Sequence, residues 1–185
     1  MPDMLQLQPV LQSLQSVSDD DLRTGLQTLN LRIPESKLAV AFSAYGLTNF
    51  LSGASLNDIR SNVVGIPDEQ VNAIRLRGVF VFRAYVTFCY MRSDHLESGL
   101  DGVGDASPLN PFRSFFRKGE KAQTTIAQHI RNSLAHGTFD LSEDFKCVEF
   151  IDRKWRAKLG AEDFVDGLCK EVFRFYAAAL HAQRP

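Results

Sequence analysis

The sequence has little of what announces most chemistries. Its three cysteines, Cys89, Cys147 and Cys169, are odd in number and far apart. They fit neither a zinc spacing nor a disulfide framework. Their mostly apolar neighbours predict free, buried thiols in a reducing compartment. There is no excess charge of either sign: 21 Lys and Arg face 22 Asp and Glu, for a formal net charge of −1. Any contact with nucleic acid must therefore rest on a local patch and not on bulk attraction. No apolar run is long enough to cross a bilayer, since the most apolar stretch, Gly78 to Met91, is short and contains Arg83. The opening Met1-Pro2-Asp3-Met4 has neither the basic start nor the apolar run of a secretory signal. A cytoplasmic location without membrane contact is expected. Gly99, Gly102 and Gly104 are not followed by the Lys-Ser/Thr pair of a phosphate-binding loop. His129 and His136 lack a nearby Cys or acidic partner at ligand spacing. No metal and no cofactor are expected.

What the sequence does have is helical patterning. At 185 residues it is long enough for one domain with a proper core. Ser18 followed by Asp19, Asp20 and Asp21 opens a helix whose acidic groups sit on the positive end of the macrodipole. Leu22, Leu26 and Leu29 continue it until Pro34. Ser36 can cap a second helix that Gly53 closes, and a short one fits Leu56 to Val64. Pro67-Asp68-Glu69 opens the longest helix, apolar on nearly every side over 78–91, which implies neighbours all round and a second subunit among them. Gly99 to Pro111 reads as a loop, and the next helix runs from about Gly119 to His136, stopped by Gly137. Phe145 to Ile151 alternates as a short strand, one arm of a hairpin, and a last helix covers Ala161 to Ala182. The expected fold is all-α: an antiparallel bundle of five or six helices with a short β-hairpin before the last helix. One domain is expected over 1–185, with residues 1–34 as a helical N-terminal extension of unknown role.

The chemistry gathers at Gln128-His129-Ile130-Arg131-Asn132-Ser133-Leu134-Ala135-His136-Gly137. An Arg is followed by a polar residue and then, after four intervening positions, by a His at the end of a helix. A second Arg-to-His spacing, Arg174 to His181, has Phe175 where the polar residue belongs, and chance explains it. The first string, with Asn after the Arg, Leu-Ala before the His and Gly after it, resembles the signature of the HEPN superfamily. The order of a short strand and then a terminal helix is similar to a plasmid- and defence-associated branch of it. The resemblance covers about ten residues closely and the remainder only in architecture.

The resemblance implies a metal-independent endoribonuclease with Arg131, Asn132 and His136 as its catalytic group, acting as a homodimer in a toxin or antiviral-defence setting. It also implies RNA as substrate, a cleft lined by both motifs, and an antitoxin or an adjacent nucleotidyltransferase as further partner. A non-catalytic module for dimerisation or docking is the alternative. The residue types suit phosphodiester cleavage: a guanidinium holds a phosphate bidentately, and an imidazole moves protons near neutrality. At about 100° per residue Asn132 and His136 share a helix face, whereas Arg131 lies about 140° from His136. Convergence then needs a loosened helix end or a second chain.

Arg113, Arg117, Lys118 and Lys121 precede the motif, interleaved with Phe112, Phe115 and Phe116. As a substrate-binding strip the cations would track phosphates; as plain surface they are solvated, with the rings anchored in the core. Arg153, Lys154, Arg156 and Lys158 form a second basic cluster around Trp155. His129 is counted with the substrate-binding group, and Thr138 flanks the motif on its other side; a structural role is the alternative for each.

Overall fold

A computed structural model describes residues 4–183 except 30, 32, 54–76, 93–95, 97 and 119–123, with backbone alone at 48–53, 98 and 183. The helix expected over 56–64, the opening of the next at Pro67, and Lys121 lie outside the described residues.

Local signals explain most of the helices. Strand β1 (Leu5–Gln6) leads into α1 (Gln8–Gln15), which has Pro9 in its first turn and buries Leu11 and Leu14. In α2 (Asp19–Gln27) the Ser18 hydroxyl accepts the Asp21 amide hydrogen at 3.1 Å, and Leu22 and Leu26 turn inward. Helix α3 (Glu35–Gly53) starts directly after Pro34. Helix α4 covers 77–90 and is π-helical over Tyr85–Tyr90. Its one buried cation, Arg83, pairs with Asp166 and lies 5.0 Å from the Tyr45 ring centre. Helix α5 (Asn110–Phe116) sinks Phe112, Phe115 and Phe116 completely. Helix α6 (Ile126–Ala135) carries the motif, and α7 spans 161–183, π-helical over Asp163–Leu168 and α-helical over Cys169–Gln183.

The all-α expectation is corrected. Strands β2 (Phe139–Leu141), β3 (Cys147–Asp152) and β4 (Trp155–Gly160) form an antiparallel meander, and β1 adds to β4 in parallel. The result is a four-stranded mixed sheet in the order β1-β4-β3-β2, and the fold is α+β. The sequence hides this for physical reasons. The two residues of β1 carry no measurable period, and its pairing with Ala157 and Lys158 spans the whole chain. In β4 the outward Arg156 and Lys158 dominate the composition, while the inward Ala157 and Leu159 carry the strand alternation.

One hydrophobic cluster draws on residues from Leu7 to Ala179. Leu7, Leu11, Leu14, Val17, Leu22, Leu26, Leu31 and Ile33 of the N-terminal segment are part of that core. Arg174 ties them down: its guanidinium donates to the Leu14 and Val17 carbonyls at 3.2 and 2.9 Å and pairs with Asp19 at 2.8 Å. The orphan carbonyls at the end of α1 are met by that side chain.

Candidate functional site

The motif helix begins later than the expected Gly119. Thr125 and Gln128 form a reciprocal capping box: the Thr125 hydroxyl accepts the Gln128 amide hydrogen at 3.0 Å, and the Gln128 carboxamide accepts that of Thr125 at 3.2 Å. That pair fixes the start at Ile126. The C-terminus is a Schellman turn. The Gly137 amide donates to the Leu134 carbonyl at 3.2 Å and the Thr138 amide to that of Ser133 at 2.9 Å, with Gly137 at φ +66°.

Between these ends, Ala127, Ile130, Ser133 and Leu134 are buried, while Gln128, Arg131, Asn132, Ala135 and His136 face outward. Ser133 locks the helix to the sheet. Its hydroxyl donates to the Thr138 carbonyl at 2.8 Å and accepts the Ile151 amide hydrogen at 3.1 Å. The next residue in β3 is Asp152, which is thereby set against α6.

Asp152 is the centre of the arrangement. Val148 and Phe150 point into the core from β3, and the two-residue period places Asp152 on that same inner face. A carboxylate there needs partners. His129 supplies one through Nδ1 at 2.8 Å, and Asn132 donates another through Nδ2 at 3.0 Å. The Asp152 side chain is only 10% exposed. Trp155 stands directly opposite Asp152 across the β3–β4 pair and stacks on the His129 ring, 4.7 Å between centroids and 8° between planes. Asn132 faces the other way with its oxygen, which accepts from Arg131 Nε at 3.4 Å and Nη2 at 3.2 Å.

Arg131 and Asn132 are therefore brought together as the motif suggests, and His129 with them. His136 is not. It caps the helix one turn further on, exposed to solvent, with its backbone amide bonded to the Asn132 carbonyl at 3.0 Å. The sequence reading missed Asp152 and Trp155. Their signal was the double alternation Val148-Phe150-Asp152 and Trp155-Ala157-Leu159, which meets only once the hairpin is paired.

The basic residues divide. Arg113 is bound to Asp105 and Asn110, and Arg117 lies 2.8 Å from Asp101, so both guanidinium groups hold the preceding loop. Their interleaved Phe rings are core. Lys118 is exposed. Arg153, Lys154, Arg156 and Lys158 are all exposed: Arg153 and Lys154 form the turn next to Asp152, whereas Arg156 and Lys158 lie on the outer face of the sheet, Arg156 3.4 Å from Glu149. Arg153, first of the two turn residues, has φ +57°, a conformation more usual for Gly at that place.

Behind the motif helix, Val40, Ala41 and Ala44 of α3 and Phe82, Tyr85, Val86, Cys89 and Tyr90 of α4 line an open apolar groove of about 450 Å³. Tyr85 donates its hydroxyl to the Leu134 carbonyl, and the Cys89 sulfur lies 3.8 Å from the Arg131 carbonyl. Burial pushes the Cys89 thiol up, against the opposing pull of the Arg131 guanidinium. Among the described residues no three His, Cys, Asp or Glu side chains converge as a metal site would need, and no helix is long and apolar enough to cross a membrane.

Compared with models of known protein families, with curated proteins and with solved structures, the chain shows no match.

Proposed function

We propose that this protein is a metal-independent endoribonuclease whose Arg131, Asn132 and His136 act on a scissile RNA phosphate. The observation that carries the reading is the Asn132 carboxamide, which holds the Arg131 guanidinium from one side while Asp152 fixes the amide from the other. A phosphate donor set so oriented loses little freedom on binding. His136 follows one turn along the same outward face, and the exposed Arg153 and Lys154 of the turn next to Asp152 supply a local positive field that the neutral chain as a whole lacks.

The chemistry needs no external nucleophile. The ribose O2′ attacks phosphorus as its proton passes to a base. The bond from phosphorus to O5′ breaks as that oxygen takes up a proton. The products are a 2′,3′-cyclic phosphate and a 5′-hydroxyl. Arg131 meets the charge that grows on the phosphoryl oxygens, and His136 moves a proton.

The apolar groove behind the motif helix supports a homodimer. Its Tyr85 and Cys89 touch the backbone of the motif helix itself, so a second copy seated there would pack next to the motif helix of the first. A toxin or antiviral-defence setting, with an antitoxin or nucleotidyltransferase as partner, rests on the motif's resemblance alone. The same groove favours the second reading, a non-catalytic module that docks a partner. Incubating the purified protein with mixed RNA in EDTA separates the two. Cleavage lost in Arg131→Ala and His136→Ala supports the ribonuclease; intact RNA, or an undiminished His136→Ala, leaves the docking module.

A further inference from the structure

Cleavage by an internal 2′-hydroxyl requires two proton transfers, one off O2′ and one onto O5′. In an in-line displacement those oxygens lie on opposite sides of phosphorus, so one imidazole cannot attend both in the same step. His136 is one carrier in the reading proposed above, and in a dimer its copy belongs to the other motif. We infer that within each motif His129, held by Asp152 and Trp155, is the second carrier, and the inference rests on that ribonuclease reading.

Geometry selects His129. It stands seven residues before His136 on the same helix, about 10 Å away along the axis and some 20° round it. The Asn132–Arg131 donor pair falls between them in sequence, so a phosphate held there has an imidazole toward each end. The ring is fixed on two sides, by its bond to Asp152 and by the parallel face of Trp155. A carboxylate only accepts hydrogen bonds, so Nδ1 carries a hydrogen, and in the neutral ring the lone pair is then on Nε2. Nε2 makes no hydrogen bond among the described residues, and the side chain retains 20% exposure. An imidazole with one nitrogen tied to a buried carboxylate and the other open is poised to pass protons. Asp152 is a positioning residue: one of its oxygens orients His129 directly and Arg131 through Asn132. Asp152 is the charged group in contact with the ring; Arg153 and Lys154 lie in the turn between Asp152 and Trp155, and Arg131 two residues on along the same helix.

A purely structural role, pinning the hairpin to the motif helix, predicts something different, and the side chain of asparagine separates the two. His129→Asn can still donate to Asp152 from the place of Nδ1, but it has no Nε2 and does not titrate. The experiment measures rates on a short RNA in EDTA from pH 5 to 9, with the thermal midpoint of each variant as the folding control. Wild type is expected to give a bell-shaped profile. His129→Asn is expected to fold normally, to fall by roughly 10²–10⁴-fold, and to lose one limb of the bell. Asp152→Asn is expected to fall less and to keep both limbs, one of them displaced. A His129→Asn variant that cleaves at the wild-type rate, or more slowly with both limbs intact, overturns this inference and leaves His129 as a staple. A wild-type protein that leaves RNA intact overturns the ribonuclease reading and this one with it. Loss in His136→Ala without loss in His129→Asn overturns this one alone.

Discussion

Ser133 accepts the backbone amide hydrogen of Ile151 on its hydroxyl at 3.1 Å, a side chain of the motif helix bonded to the strand residue beside Asp152. The hydroxyl is fully buried and also donates to the Thr138 carbonyl. It therefore sets the register of helix against sheet on which the contacts of Asp152 with His129 and Asn132 depend.

Ser133→Ala removes that register pin and both hydrogen bonds of its hydroxyl, while the Ile151 amide keeps its bond to the Thr138 carbonyl at 3.0 Å. The unfolding free energy is expected to fall by roughly 0.5–1.5 kcal/mol, read by urea denaturation. Cleavage is expected to fall as well, because the Asp152 carboxylate loses its fixed distance to Asn132. A stable variant with full activity contradicts the pin.

Arg174→Ala tests whether the N-terminal helices belong to the core. As half of the chance Arg-to-His spacing, Arg174 looked like a neutral control; in the fold it bridges Leu14, Val17, Asp19 and Glu171. Its loss should cost about 2 kcal/mol and lower the thermal midpoint by roughly 4–8 °C for a chain of this size. Cleavage by the folded protein should be unchanged. His181 is exposed, so His181→Ala should alter neither property.

How far the site could be read from sequence follows from the range of each contact. The Arg131–Asn132 pair is adjacent in the chain, and the helix stop at Gly137 is a local turn, so both were legible. The capping box Thr125-x-x-Gln128 was legible too, and overlooking it placed the helix start too early. Asp152 meets His129 only after β3 pairs with β4 and docks on α6, a non-local event that no window of sequence contains. Trp155 lay inside a basic run whose charges masked a strand. β1 was invisible, since two residues acquire strand character only from their partner.

Phe82 and Tyr90 test the assembly. Both are about 40% exposed on the groove behind the motif. Phe82→Glu is expected to convert a dimer into a monomer in light scattering and to abolish cleavage while keeping the helical signal of the fold. A wild-type protein that is monomeric at tens of micromolar and still cleaves RNA removes the composite cleft.

Cys169 gives an alkaline signature. Burial pushes its thiol up to about 12, against opposing help to the thiolate from Thr87 and Arg83. The unfolded thiol ionises near about 8.5. Below that pH both states hold the proton and the full stability is present. As pH rises from there toward 12 the unfolded chain gives up its proton and the folded one does not, so this contribution is lost. The penalty of Cys169→Ala, measured by urea unfolding, should therefore shrink between pH 8 and pH 10. A penalty independent of pH refutes the buried neutral thiol.

Asn132 offers the sharpest comparison, because one substitution deletes its carboxamide and the other keeps its shape but adds a charge. Asn132→Ala deletes the bond to Asp152 and the acceptor for Arg131 but adds no charge. Cleavage is expected to fall about tenfold, since His129 still satisfies Asp152 and Arg131 remains on the same face. Asn132→Asp keeps the acceptor for Arg131 and sets a second carboxylate where the amide stood, 3.0 Å from Asp152 Oδ2. Two carboxylates that close cannot both ionise at ordinary cost, so one is raised in the folded state. A raised acid contributes its stability at low pH and loses it as pH rises through the folded value. Asn132→Asp should accordingly be near wild type in stability at pH 5 and clearly weaker at pH 8, whereas Asn132→Ala should show the same deficit at both. Thermal unfolding at the two pH values reads this directly. Equal deficits for the two variants at pH 8 would mean that Asn132 and Asp152 are not in contact in solution, and the bridge from Arg131 to Asp152 would fail with them.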